Sequence, residues 1–242
     1  MNTYVSKIGV CNHINELKEK LGIEIKSYPI NIKKICGEIE GLTLESIPLK
    51  SKGLRGIAVL SKDKSDDDII LLNSNRDACE QNFDCGHELY HVAFHRYAGN
   101  TFNCLENVKP CQNKFLEWQA NEGSAELLVP YKLLLPEIKK SYCTLKSYQG
   151  IQNFIYKMSK KFNVTDSVIS IRLDDLKYEI FQYVNGASLN DVKVLSDKRQ
   201  KDDGIYCISL IDMREFYRKK EEKKHKFHYY NSCKADINIY RS

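Results

Sequence analysis

The sequence predicts an α+β protein, a small sheet carried among helices, and three observations point there. Two short apolar runs, residues 54–60 and 68–73, flank a polar turn rich in Ser, Lys and Asp, the pattern of a β-hairpin. Several longer stretches repeat apolar residues three and four apart, the spacing of one helix face. The composition, 42% apolar and 29% charged over 242 residues, is that of a globular chain long enough to bury its own core.

In chain order, residues 13–21 place Ile14, Leu17 and Leu21 on one face and stop at Gly22, an amphipathic helix. Around Pro29, residues 23–25 read as an extended piece and 30–35 as a helical turn. The hairpin follows, then a long helix from about Ala78 to Tyr97. Residues 99–110 are polar and bracketed by Gly-Asn and Pro, so they read as a loop. Residues 113–128 are helical and end at Pro130. Helices over 131–140, over 147–162 and from Thr165 to Lys177 complete the helical part. After Tyr178 the pattern shortens: residues 181–184 and 205–211 read as strands ahead of a charged, solvated helix over 214–226. The chain divides accordingly into residues 1–140, a helical segment 141–178 packed on them, and a C-terminal extension 179–242 whose role the sequence does not name.

Composition also narrows the function classes. No apolar run approaches the roughly 20 residues that span a bilayer, and the first residues show no basic and then apolar leader. The expectation is a cytoplasmic protein whose nine cysteines, none in a C-x-x-C pair, are reduced. A net charge of +5 is too mild to predict a nucleic-acid partner.

The chemistry concentrates in Cys85-Gly86-His87-Glu88-Leu89-Tyr90-His91. His87 and His91 stand four apart, so a helix puts both imidazoles on one face. There they can meet one metal ion at the usual Zn–N length of about 2.0–2.1 Å. Glu88 follows the first histidine directly, the general-base position of H-E-x-x-H hydrolases. Leu89, Val92, Ala93 and Phe94 predict a buried helix, and buried histidines beside a buried glutamate need a strong partner.

A catalytic zinc takes three protein ligands. His95 lies two turns beyond His87, about 12 Å along the axis, too far to share the ion, so it reads as a supporting or packing residue. Glu117 is the better candidate. On the 113–128 helix it shares the face of Ala120, Ser124, Leu127 and Leu128, whereas Glu122 and Glu126 fall on the opposite, solvated side. Small residues at 120, 123, 124 and 125 allow this helix to approach the histidine helix closely.

His87-Glu88-x-x-His91 followed by Glu117-x-x-Ala120-Asn121-x-x-x-Ala125-x-Leu127-Leu128-x-Pro130 resembles the paired motifs of the ImmA/IrrE family of metallo-endopeptidases. The similarity covers roughly residues 10–178. It takes in Asn73 and the helix-turn-helix-like stretch Phe162-Asn163-Val164-Thr165-x-x-x-Ile169-x-x-Arg172-Leu173. Tyr90 and Gly123-Ser124 depart from the family's usual Gly and Phe-Ala, at positions that touch helix packing. The resemblance implies a zincin-like metallopeptidase domain over 1–140, with His87, His91 and Glu117 as metal ligands and Glu88 as catalytic base. Two histidines and one glutamate favour Zn2+, with Mn2+ the alternative. It further implies a protein substrate, a helix-turn-helix repressor of a mobile element, prophage or stress regulon. Zincin substrates usually lie along a sheet edge, and residues 68–72 are the candidate strand. The alternative function is a catalytically silent, metal-stabilised binding module that regulates a repressor or DNA. The presence of Glu88, which metal binding does not require, favours the enzyme.

Three weaker signals point to structure. Asp174 and Asp175 crowd the end of the helical unit over 160–176 and would repel phosphate, which argues against DNA binding. Cys207, His225, His228 and Cys233 have poor spacing for a second zinc site. Cys85 reads as a buried thiol.

Overall fold

A four-stranded sheet with helices packed over it carries the whole arrangement. The structure is a computed structural model, and it describes residues 5–63, 66–106 and 112–223. Two helices, α1 (Lys7–Lys20) and α2 (Ile32–Cys36), precede β1 (Leu42–Ile47), β2 (Leu54–Val59) and β3 (Asp68–Asn73). Then come α3 (Ala78–Phe94), β4 (Thr101–Leu105), α4 (Lys114–Leu128), α5 (Tyr131–Ser141), α6 (Tyr148–Phe162) and α7 (Asp166–Asp175). The described chain closes with α8 (Lys177–Val184), α9 (Asp197–Asp202) and a helix over 210–223. The α+β expectation holds. Among the described residues no helix is long and apolar enough to cross a membrane.

The sheet order is β1-β3-β2-β4. The hairpin forms as expected: Ala58 of β2 pairs antiparallel with Ile70 of β3. Two strands exceed the sequence reading. Residues 42–47 form β1, parallel to β3, and the stretch read as a loop contains β4, antiparallel to β2. In β4 only Phe102 and Cys104 turn inward. Two apolar positions among polar ones are too few to announce a strand, and pairing with β2 decides it. This order also corrects the substrate strand. β3 is paired on both sides, so its backbone groups are already used, and β1 and β4 are the edges.

Helix α3 starts at a reciprocal capping box, Asp77 with Glu80. It ends at Phe94, with a short 3-10 turn over Arg96–Ala98. It lies between the sheet and α4, buried around its circumference from Asp84 to His91. The small residues of α4 allow the close approach expected of them: a Cβ at Gly123 would run into the Tyr90 ring.

The predicted solvated side of α4 is buried instead. Arg172 of α7 sits on it, with Nη1 2.7 Å from Glu122 Oε1, Nη2 paired to Glu126 Oε2, and Nε donating to the Val129 carbonyl at 3.2 Å. Helical periodicity separates the faces of one helix but does not say what covers each, and here α7 covers the acidic one. Removing one partner from such a buried set costs about 3–5 kcal/mol, since the rest is left uncompensated. A second buried pair, Lys7 with Glu179 at 3.0 Å, joins α1 to α8.

The last part of the chain corrects two further expectations. Residues 181–184 belong to α8, and 205–209 carry no strand before the helix that begins at 210. Short aromatic and β-branched runs favour strands only where a partner edge exists, and these lie away from the sheet. Cys85 is fully buried, 3.6 Å from the Cys36 sulfur, and the described cysteines are free. His225, His228 and Cys233 of the second candidate site, and the end of the 214–226 segment, lie outside the described residues.

Asp175 closes α7 beside this acidic cluster, and burial, then Glu122, raise its pKa from 3.8 to about 6. The folded state therefore holds the proton more tightly than the unfolded one, and stability falls as pH rises through that interval. The cost at neutral pH is about 1–2 kcal/mol once the group's remaining solvent contact is allowed for. Asp175→Asn is expected to raise the melting temperature at about pH 7.5 and to leave it unchanged near pH 3.5. Thermal denaturation at the two pH values checks this.

Candidate metal centre

Helix α3 offers one polar stripe toward α4, and the three sequence-predicted donors converge on it. His87 Nε2 and His91 Nε2 are 3.1 Å apart. Glu117, in the first turn of α4, brings Oε2 to 3.3 Å from His87 Nε2 and Oε1 to 4.0 Å from His91 Nε2. Bonds of about 2.0–2.1 Å to a tetrahedral ion put ligand atoms roughly 3.3 Å apart. The set therefore fits a divalent metal in spacing as well as in donor type. All three side chains are buried, which without an ion would leave two imidazoles crowding each other in the core.

The contacts on the far side of each ring favour the same arrangement. His87 Nδ1 meets Asn121 Oδ1 at 3.1 Å. With its proton on Nδ1, the ring donates there and keeps the Nε2 lone pair free. His91 Nδ1 meets His95 Nδ1 at 2.8 Å, and His95 Nε2 meets Gln119 Oε1 at 3.2 Å. Read from the glutamine inward, His95 donates to Gln119, accepts from His91, and leaves His91 Nε2 free for the cluster. Such outer contacts orient metal-binding imidazoles and fix their tautomers. Phe102 of β4 stacks on the His91 ring, with centroids 4.4 Å apart. Burial, then His87 and His95, push His91 far below the usual imidazole range, so it stays neutral. Burial holds His95 down to about 4 against the contact with Gln119. His95 thus takes the supporting place expected of it. Sequence reasoning gave Asn121 and Gln119 no role. Asn121 was findable, being four residues after Glu117 and so on its face. Gln119 depends on where His95 lands.

Glu88 projects from the same turn toward the sheet. It is 0% exposed, and neither carboxylate oxygen has a hydrogen-bond partner among the described residues. Space for it exists because residue 56 of β2 is glycine: a Cβ there would stand 2.9 Å from Glu88 Oε1. Burial, then the charges of Glu117 and Asp84, hold its pKa well above the usual carboxylate range. The nearby amides of Cys104 and Ala58 work the other way, but they are too poorly placed for a proper hydrogen bond and do not offset this. Glu88 is therefore a carboxyl group that holds its proton more tightly than an ordinary carboxylate, beside the cluster. Cys104 comes close enough to Glu88 and His87 to form a second donor set. Its buried thiol is pushed well up, so it stays protonated and is the poorer choice.

An α+β domain with two imidazoles and a carboxylate on paired buried helices, and a proton-holding carboxyl beside them, defines the class of metallopeptidase-like domains. The family model of the IrrE N-terminal-like domain, peptidase M78, matches residues 39–174, more than half of the chain. The chain belongs to that family. No curated protein matches it.

The His91–His95–Gln119 contacts lead to one prediction. His95→Ala strands the buried Nδ1 of His91 and is expected to weaken divalent-metal binding by about 10- to 100-fold. Competition with a chromophoric chelator measures it, and unchanged affinity would remove His95 from the site.

Proposed function

We propose that the protein is a zinc-dependent endopeptidase that cleaves a cytoplasmic regulatory protein. The observation that carries this reading is Glu88, buried, without a hydrogen-bond partner and with a raised pKa, beside a donor set of two histidines and one glutamate. A module that only binds metal has no need of it, and burying such a group is costly. His87, His91 and Glu117 would hold the ion. When bound, zinc polarises the scissile carbonyl and lowers the pKa of its water to about 7.

The chain's own residues do the rest. Glu88 accepts a proton from the attacking water, and its raised pKa keeps that proton available for the leaving amine. Asn121 and His95 keep the two imidazoles facing the reaction centre. Gly56 leaves the carboxyl room beneath β2. An extended substrate would add to β4, the edge strand whose Phe102 and Cys104 flank the site. Membership of the IrrE N-terminal-like family supports a metallopeptidase. Resemblance to the ImmA/IrrE motifs supports a helix-turn-helix repressor of a mobile element, prophage or stress regulon as the substrate.

Two variants test the assignment. Glu88→Gln is expected to keep about one zinc per chain and to lose roughly 100-fold or more of its turnover, read by mass spectrometry of repressor fragments. Full activity in that variant would displace Glu88 as the base. Glu117→Ala is expected to lose its metal, measured by elemental analysis on protein purified without a metal-affinity tag. Retained zinc would displace Glu117 as the third ligand.

A further inference from the structure

Beside the donor set lies a cavity of about 350 Å3, roofed by α7 and floored by the start of α3, the outer face of α4 and Arg55 of β2. Its volume falls at the lower end of the roughly 300–1,000 Å3 typical of ligand pockets. None of the donors lines it, but it adjoins the residues that support them twice. Asn121 lines it and contacts His87, and Arg55 directly precedes Gly56, the residue under Glu88.

Arg55 owes its direction to an irregularity of the sheet. Leu54 pairs with Leu105 and Gly56 with Cys104, so Arg55 is the extra residue of a bulge. Bulges re-aim side chains, and this one brings Arg55 to the helix side of the sheet, with Asp84 and Asn121. Asn73 pins it there, its Nδ2 donating to the Leu54 carbonyl at 2.9 Å.

Carboxylates outnumber arginines around the cavity, but by hydrogen bonding it is Arg55 that is left over. Arg76 is taken by Asp84 at 2.6 Å and Glu80 at 3.2 Å. Arg172 is taken by Glu122 and Glu126. Arg55 forms no salt bridge among the described residues, although its charge acts on Asp84, and its buried Nε has no hydrogen-bond partner. A second polar atom is also free: Asp84 is 1% exposed and its Oδ1 has no partner. A guanidinium donor matches a carboxylate. An unfilled acceptor beside it needs an N–H, which a peptide supplies and an inorganic anion does not. Phe83 and Trp118 give apolar wall for methylene groups. Asp175, at the α7 end, would repel an acid placed there. At the other end Asp84 and Glu80 are both held by Arg76, and Arg55 is the cation whose hydrogen-bonding capacity is unused.

We propose that this cavity is a substrate subsite in which Arg55 binds the side-chain carboxylate of an Asp or Glu close to the scissile bond, while Asp84 Oδ1 accepts a peptide N–H. The proposal rests on the peptidase reading, and its test separates the two. The first arm uses the zinc-loaded Glu88→Gln protein and N-acetyl-glutamate methylamide, which carries a side-chain carboxylate between two peptide groups. The Arg55 Nε–H resonance, assigned by its loss in Arg55→Lys, should shift downfield and saturate. The glutamine analogue should not move it. No shift with the acid overturns the subsite, and an equal shift with inorganic phosphate shows an unspecific anion site and overturns it too.

The second arm digests a peptide library with the wild-type protein. Cleavage should favour sites with Asp or Glu within a few residues of the broken bond. The ratio of kcat/KM for a Glu peptide over its Gln counterpart should fall roughly 10- to 100-fold in Arg55→Gln, with zinc content unchanged. A preference that survives in Arg55→Gln overturns the proposal. A saturable shift in the first arm with no cleavage in the second keeps the carboxylate site and overturns the peptidase reading.

Discussion

Everything at this site depends on how closely α3 and α4 approach. Three donors from two helices can share one ion only if the backbones lie near enough for a glutamate from one to reach two imidazoles of the other. That approach is set by the absence of side chain at Gly123, where any Cβ would strike the Tyr90 ring. Tyr90 and Gly123, two of the positions where the resemblance read in the sequence breaks, lie against each other. A large ring on one helix is met by a missing side chain on the other, which conserves the volume between the helices.

Close approach creates a second constraint, because it buries polar groups that must then be satisfied. The solution is a set of outward contacts. His87 reaches Asn121, and His91 reaches Gln119 through His95. These side chains leave the inward nitrogens free, which is the state a metal needs. Glu88 and Arg55 are among the exceptions, each buried or half-buried with polar atoms unmatched. Unmatched groups in a folded core are costly enough to mark places where a ligand or a proton is expected. Both lie along β2, at Gly56 and its neighbour, where the bulge interrupts the strand.

The helical segment beyond residue 141 takes part in this architecture. Through Arg172 it pairs with the two glutamates on the back of α4, and with its α7 wall it encloses the cavity. The helix that carries Glu117 at its start thus has its far side held by a buried arginine. Helices α4 and α7 share one core here, since Ile169 and Leu173 pack in the same cluster as Leu127 and Leu128.

Local spacing made the candidate donors legible, because His87 and His91 depend only on helical geometry, and Glu117 on the face it shares with Ala120 and Ser124. The hairpin and most helices were legible for the same reason: periodicity and punctuation are properties of short segments. What spans the sequence was not legible. Residues 101–105 became a strand by pairing with β2, and residues 68–73 became interior because β1 returned beside them. Glu122 and Glu126 became buried because Arg172, some 50 residues away, covers them. Periodicity tells which residues share a face, but burial and partner are decided by whatever else folds onto that face. The sequence by itself therefore determined which side chains could hold a metal, and only the tertiary structure decided what surrounds them and where a substrate has room.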